Sequence, residues 1–171
     1  MNNPGTNSMS VLDRMSEVIG RTTAWLTLLM VLMTFVIVVL RYAFDTSLIW
    51  LQESLSWMHA VVFMLGAAYT LQYDEHVRVD IFYRDMTAKR RAWVNLLGVL
   101  LFVLPICGFF FYQSFDYVAA AWSLREISRD AGGLPYPAIP LLKSLLLLMP
   151  LTLALQGLSL LIRSWRDLVA R

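Results

Sequence analysis

The sequence predicts an all-α integral membrane protein of four transmembrane helices, and three observations lead there. Of 171 residues, 58% are hydrophobic and 15% charged, with a mean hydropathy of +0.62, far above that of a water-soluble domain. Four uncharged runs, 22–40, 54–73, 92–115 and 144–162, are each long enough, at about 1.5 Å per residue, to cross a hydrocarbon core of roughly 30 Å. The runs are continuously apolar, as in "LTLLMVLMTFVIVVL", instead of alternating. Lipid offers the backbone no hydrogen-bond partner, so such runs close their bonds within helices.

Composition also excludes several classes. Fourteen basic and twelve acidic residues leave a net charge of +2, too balanced for a nucleic-acid binder. One cysteine, Cys107, rules out an intramolecular disulfide or a multi-cysteine metal site. So apolar a chain of this length could not hide its surface in a water-soluble core.

Taken in order, residues 1–8, with Pro4, Gly5 and three asparagines, are expected to be disordered. Over 9–21, Val11, Leu12, Met15, Val18 and Ile19 recur at helical spacing opposite Asp13, Arg14, Ser16 and Glu17, which predicts a short helix lying on the membrane surface. The first span, 22–40, follows Arg21 and lacks a small-residue cleavage site behind it, so it is expected to remain as a signal anchor. In the second span, 54–73, Gly66, Ala67 and Ala68 give a smooth face for close backbone approach. Gly98 and Gly108 are expected to do the same in the third span, 92–115, where Pro105 removes a helix hydrogen bond and predicts a bend. Pro150 does so in the fourth, 144–162. Thr34, Asn95, Gln113 and Gln156 are read as interhelical hydrogen-bond partners.

Basic residues orient the bundle. Arg14 and Arg21 precede the first span, Arg78, Arg84, Lys89, Arg90 and Arg91 separate the second from the third, and Arg163, Arg166 and Arg171 accompany the C-terminal end. Fewer fall on the opposite side, so both termini and the middle loop are expected in the cytoplasm. Trp25, Tyr42, Trp50, Tyr73, Trp93, Trp122 and Trp165 lie near span ends, where amphipathic rings favour the interface.

Little in the spans suggests chemistry. His59 is the only ionisable side chain in them besides tyrosines and Cys107, whereas a self-sufficient carrier marks its site with a midplane polar cluster. The competing class, a stand-alone four-helix membrane enzyme or haem or redox subunit, would need paired membrane histidines. His76 lies outside the spans. No enzyme activity, cofactor or metal site is expected.

The stretch "LRYAFDTSLIWLQESLSWMHAVVFMLGAAYTLQYDEHVRVDIF" resembles the small membrane subunit, DctQ-type, of tripartite ATP-independent periplasmic (TRAP) transporters. The resemblance rests on Arg41, Tyr42 and Phe44 closing the first span, Trp50 and Glu53 opening the second, Gly66 and Ala67 within it, and "HVRVD" after it. It implies a noncatalytic subunit of an ion-driven importer in the bacterial inner membrane, paired with a large permease subunit that carries the solute and ion sites. It also implies a separate periplasmic solute-binding protein that captures a carboxylated small molecule. The later "LPYPAIPLLKSLLLLMPLTLALQGL" is similar to a branch linked to keto acids and related organic acids.

Assembly roles are expected for Arg41, Trp50, Glu53, His76 and Asp80. Arg41 and Glu53 flank the short connection between the first two spans, where an ion pair or shared polar network would fix the hairpin. His76 and Asp80, four apart, would share one helical face and orient the middle loop. The loop from Trp122 to Leu142 carries Arg125, Glu126, Arg129 and Asp130 before a glycine- and proline-rich return. It reads as a presented surface, and, given the resemblance, as a docking platform for the binding protein.

Overall fold

The computed structural model describes residues 11–72 and 86–169. Helix α1 runs Val11–Ala43, α2 Ile49–Gln72 and α3 Ala88–Gly98; a π-helical turn, Val99–Val103, leads directly into α4, Leu104–Ser123; α5 spans Ala138–Val169. Helix α3, the π turn and α4 form one continuous rod, so four helical units are long and apolar enough to cross a membrane. Among the described residues no strand occurs. The expected disordered segment 1–8, together with His76 and Asp80, lies outside the described residues.

Helix ends differ from the ends of the apolar runs. The 33 residues of α1 measure about 50 Å, and residues 11–21 continue the spanning helix without the separate element expected there. Nothing near Arg21 breaks a helix, since one interior glycine, Gly20, is tolerated. Helix α2 begins at Ile49 and α5 at Ala138, each before its apolar run. A run without charges measures the lipid-immersed length, whereas caps and turns decide where hydrogen bonding stops.

Helix α5 packs against α1, α2, α3, the π turn and α4, while α1 rests mainly on α2. The central pair is therefore α2 and α5, with α1 on one flank and α3–α4 on the other. Ala68, Leu71, Val99, Val118, Ala121 and Leu145 are buried between them. Large apolar side chains such as Trp25 and Phe35 on α1 and Phe109 and Phe110 on α4 face outward, the distribution expected where lipid is the solvent.

Small residues, in places the sequence did not mark, set how closely the helices approach. A Cβ on Gly20 would run into the Tyr69 ring of α2, 2.8 Å from its Cβ, and one on Gly157 would lie 3.2 Å from Val103 of the π turn. Gly66, Gly98 and Gly108 have open space there, so the expected close approach at those three is corrected. Their directions depend on how each helix is rotated. Pro105, which has no N–H, stands in the first turn of α4. The π turn precedes it, with Leu104 N–H bonded to Val99 O, a local adjustment of the kind that accommodates such a residue.

Of the four polar span residues, Gln156 joins two helices: its Oε1 accepts from Ser16 Oγ of α1 at 2.8 Å, with both side chains buried. Thr34 instead bonds back to Met30 O in its own helix, and Gln113 is exposed, which corrects the interhelical expectation for those two. Asn95 is half-buried.

Candidate functional site

The distinctive polar geometry lies at the end of the bundle opposite the termini, where residues 44–48 join α1 to α2 and residues 124–137 join α4 to α5. Thr46 N–H bonds to Leu40 O at 3.0 Å, closing the end of α1 and letting α2 start at Ile49. One turn into α2, the half-buried Glu53 faces the longer loop. Its Oε2 accepts from Leu134 N–H at 2.6 Å, and its Oε1 accepts from the Ser128 hydroxyl. That hydroxyl also accepts from Asp130 N–H at 3.1 Å, a local turn favoured by serine.

Two glycines make this clamp possible. Gly132 adopts φ +83°, a left-handed conformation with little cost only for glycine. A Cβ on Gly133 would collide with Ser128 and come within 2.8 Å of Glu53 Oε1. The carboxylate therefore reaches the loop only because position 133 has no side chain.

Further ties hold the loop at both of its ends. Trp57 Nε1 donates to Ala138 O at 3.1 Å, and Trp122 Nε1 donates to Ser144 Oγ at 3.0 Å. Lys143 pairs with Glu126 at 2.5 Å, with its ammonium 4.0 Å from the centre of the Tyr117 ring, a cation–π arrangement. An apolar hollow of about 410 Å³ opens between loop and α2, lined by Trp57, Met58, Leu134, Pro135, Tyr136 and Leu141 among others.

The candidates marked from sequence are distributed unevenly over this site. Glu53 is central to it, but its partners are Ser128 and Leu134, not Arg41, so the expected Arg41–Glu53 pair is corrected. Arg41 is exposed in the last turn of α1, where a cation suits the helix dipole, while Glu53 turns toward α5 and the loop. Trp50 is half-exposed near the start of α2. Arg125, Arg129 and Asp130 are exposed, whereas Glu126 is engaged by Lys143. His59 is exposed and lies over Phe63 of its own helix, with ring centres 6.4 Å apart. Sequence reasoning missed Trp57, Ser128, Gly133 and Lys143 as parts of the site. The signal available was the Ser128–x–Asp130 turn followed by paired glycines.

Chemically, the site is a set of donors and acceptors that spend themselves on shaping a loop. Among the described residues no group of three or more His, Cys, Asp or Glu side chains is placed to hold a metal ion. Fold and site together define a multi-pass helical membrane protein that braces an exposed loop on one end of its bundle.

The chain belongs to the DctQ component family of tripartite ATP-independent periplasmic transporters, whose family model matches residues 30–167. It is thus a transporter component and a multi-pass protein of the bacterial inner membrane. The C4-dicarboxylate TRAP transporter small permease protein DctQ of Vibrio cholerae serotype O1 is 30% identical over 70 residues, covering 41% of this chain and 30% of that relative. The match thus spans less than a third of the relative's length. No solved structure matches the chain.

Proposed function

We propose that this chain is the small, noncatalytic permease subunit of a TRAP-type secondary importer for an organic acid. It pairs with a large permease subunit that carries the solute and coupling-ion sites, and a periplasmic solute-binding protein delivers the solute. Both termini and the segment around Lys89 face the cytoplasm, and loops 44–48 and 124–137 face the periplasm, in keeping with the excess of basic residues on the terminal side. The observation that carries this reading is the family match over residues 30–167, which takes in part or all of each of the four spans. The geometry supports a scaffolding role, because Glu53, Ser128, Trp57 and Lys143 are occupied in fixing the loop. The relative's C4-dicarboxylate falls within the carboxylated solutes envisaged.

The test is reconstitution. The large permease is purified with and without this chain and placed in proteoliposomes with the binding protein and an imposed ion gradient. Uptake of a labelled organic acid is expected only when both membrane subunits are present. Full uptake by the large subunit and binding protein alone would overturn the assignment.

A further inference from the structure

We infer that the end of the α3–α5 seam nearest the C-terminus is a binding site for one anionic phospholipid, with Trp93 and Trp165 bracketing its glycerol region and Lys89, flanked by Arg90 and Arg166, drawing in its headgroup phosphate. The inference rests on the orientation and subunit role proposed above and adds a ligand to them.

Register comes first. A Cβ on Gly157 of α5 would lie 3.2 Å from Val103 and 3.4 Å from Val99, while Trp122 meets Ser144 toward the other end, so α5 runs antiparallel to the α3–α4 rod. Arg90 stands nine residues before Val99 and Arg166 nine beyond Gly157, which sets the two cations level, about 13 Å from that contact. Lys89, Trp93 and Trp165 fall within about 5 Å of the same height.

Direction comes second. Ala92 of α3 and Ser164 of α5 are buried and continue the line of contact. The next residue on each helix, Trp93 and Trp165, is turned about 100° away from that line. A forward step turns toward the same side on both members of an antiparallel pair, so the two indoles border one side of the seam, 46% and 57% exposed. Lys89, four residues before Trp93, shares its face. Leu97 of α3 and Leu158 and Ile162 of α5, all exposed, carry the same side inward as an apolar track.

Chemistry comes third. The first turn of α3 holds three cations and no acidic residue, the reverse of what the helix dipole favours. Arg91 of this trio donates to Met86 O. Arg21 and Lys143 are paired with carboxylates, whereas Lys89, Arg90 and Arg166 have no ion pair among the described residues. Likewise Trp57 and Trp122 donate their indole N–H within the protein, and Trp93 and Trp165 have no such acceptor among the described residues. Uncompensated cations and open indole donors, placed where the apolar runs 92–115 and 144–162 meet charge, suit a phosphate with acyl chains beneath it. A free phosphate would leave the apolar track unused, and a zwitterionic lipid adds an ammonium that the cations repel.

Native mass spectrometry of the delipidated complex of this chain with the large permease, titrated with phosphatidylglycerol or with phosphatidylcholine of the same acyl chains, tests the site. One phosphatidylglycerol is expected to bind about tenfold more tightly than phosphatidylcholine. Lys89→Gln with Arg90→Gln and Arg166→Gln should bring the two lipids within about twofold of each other. Trp93→Leu with Trp165→Leu should weaken both lipids, and Arg125→Gln with Arg129→Gln, at the other end of the bundle, should change neither. Equal binding of the two lipids to the unmodified complex would overturn the site, as would a preference that survives the triple substitution. An equal loss in the Arg125 and Arg129 variant would show general attraction to cations and overturn it too. So would a preference seen for this chain alone but absent from the complex, which would show the permease covering the seam. If no complex with the large permease forms, the functional reading falls, while the same titration on this chain alone still reads the site, so the two failures are distinguishable.

Discussion

Replacing Gln156 with leucine tests a buried polar contact that ties α1 to α5. Gln156 is 1% exposed, accepts from Ser16 at 2.8 Å across 140 positions of sequence, and has a further interaction besides. Leucine keeps most of the volume, so the cavity contribution is small and the loss is polar. Leaving a buried hydroxyl without its acceptor costs about 1–3 kcal/mol, and interhelical bonds in membranes average about 0.6 kcal/mol. Ser16 can fall back on a carbonyl one turn earlier in its own helix, which moves the expectation toward the lower figures. We expect Gln156→Leu to destabilise by about 1–2 kcal/mol and Ser16→Ala by about 0.5–1.5 kcal/mol, with the double variant hardly worse than Gln156→Leu alone. Reversible unfolding in mixed micelles, followed by circular dichroism for the full double-mutant cycle, measures the coupling. A coupling of roughly 0.5–1.5 kcal/mol is expected. Additivity within about 0.3 kcal/mol would show that the bond contributes nothing to holding the helices together.

Other expectations follow from the same geometry. Glu53→Ala should free the loop, seen as faster amide exchange at Leu134 and quicker proteolysis between 124 and 137, with co-purification of the large permease retained; unchanged exchange would mean that the clamp does not order the loop. Gly133→Ala should reproduce that release, because its new methyl occupies the space of Ser128 and Glu53. Gly20→Ala should destabilise the α1–α2 contact by about 1–3 kcal/mol through overpacking. Trimming Tyr69 to leucine should restore part of that loss in the same unfolding assay, and failure of this rescue would place the strain elsewhere. Accessibility tags at residue 171 and near Lys89 should report cytoplasm, and tags near Asp45 and Gly132 periplasm. A periplasmic tag at Lys89 would invert the orientation.

Four helical membrane spans were legible in the chain alone, because transfer of an apolar segment of about 20 residues into lipid is a local property that each run satisfies on its own. It also pointed to Glu53 and to the charged loop, since ionisable groups at the edge of an apolar run are few and visible. Partners were not legible. Whether Glu53 meets Arg41 or Ser128 depends on which way α2 is rotated and on where a loop 75 residues later in the chain returns. Likewise Gly20, Gly133 and Gly157 differ from Gly66, Gly98 and Gly108 only in what faces them. Those matters, along with the continuation of α1 through residues 11–21 and the burial of Gln156 against Ser16, were set by how the helices pack. Hydropathy depends on each residue's own transfer from water, whereas hydrogen-bond pairing and close packing depend on the mutual orientation of helices far apart in sequence.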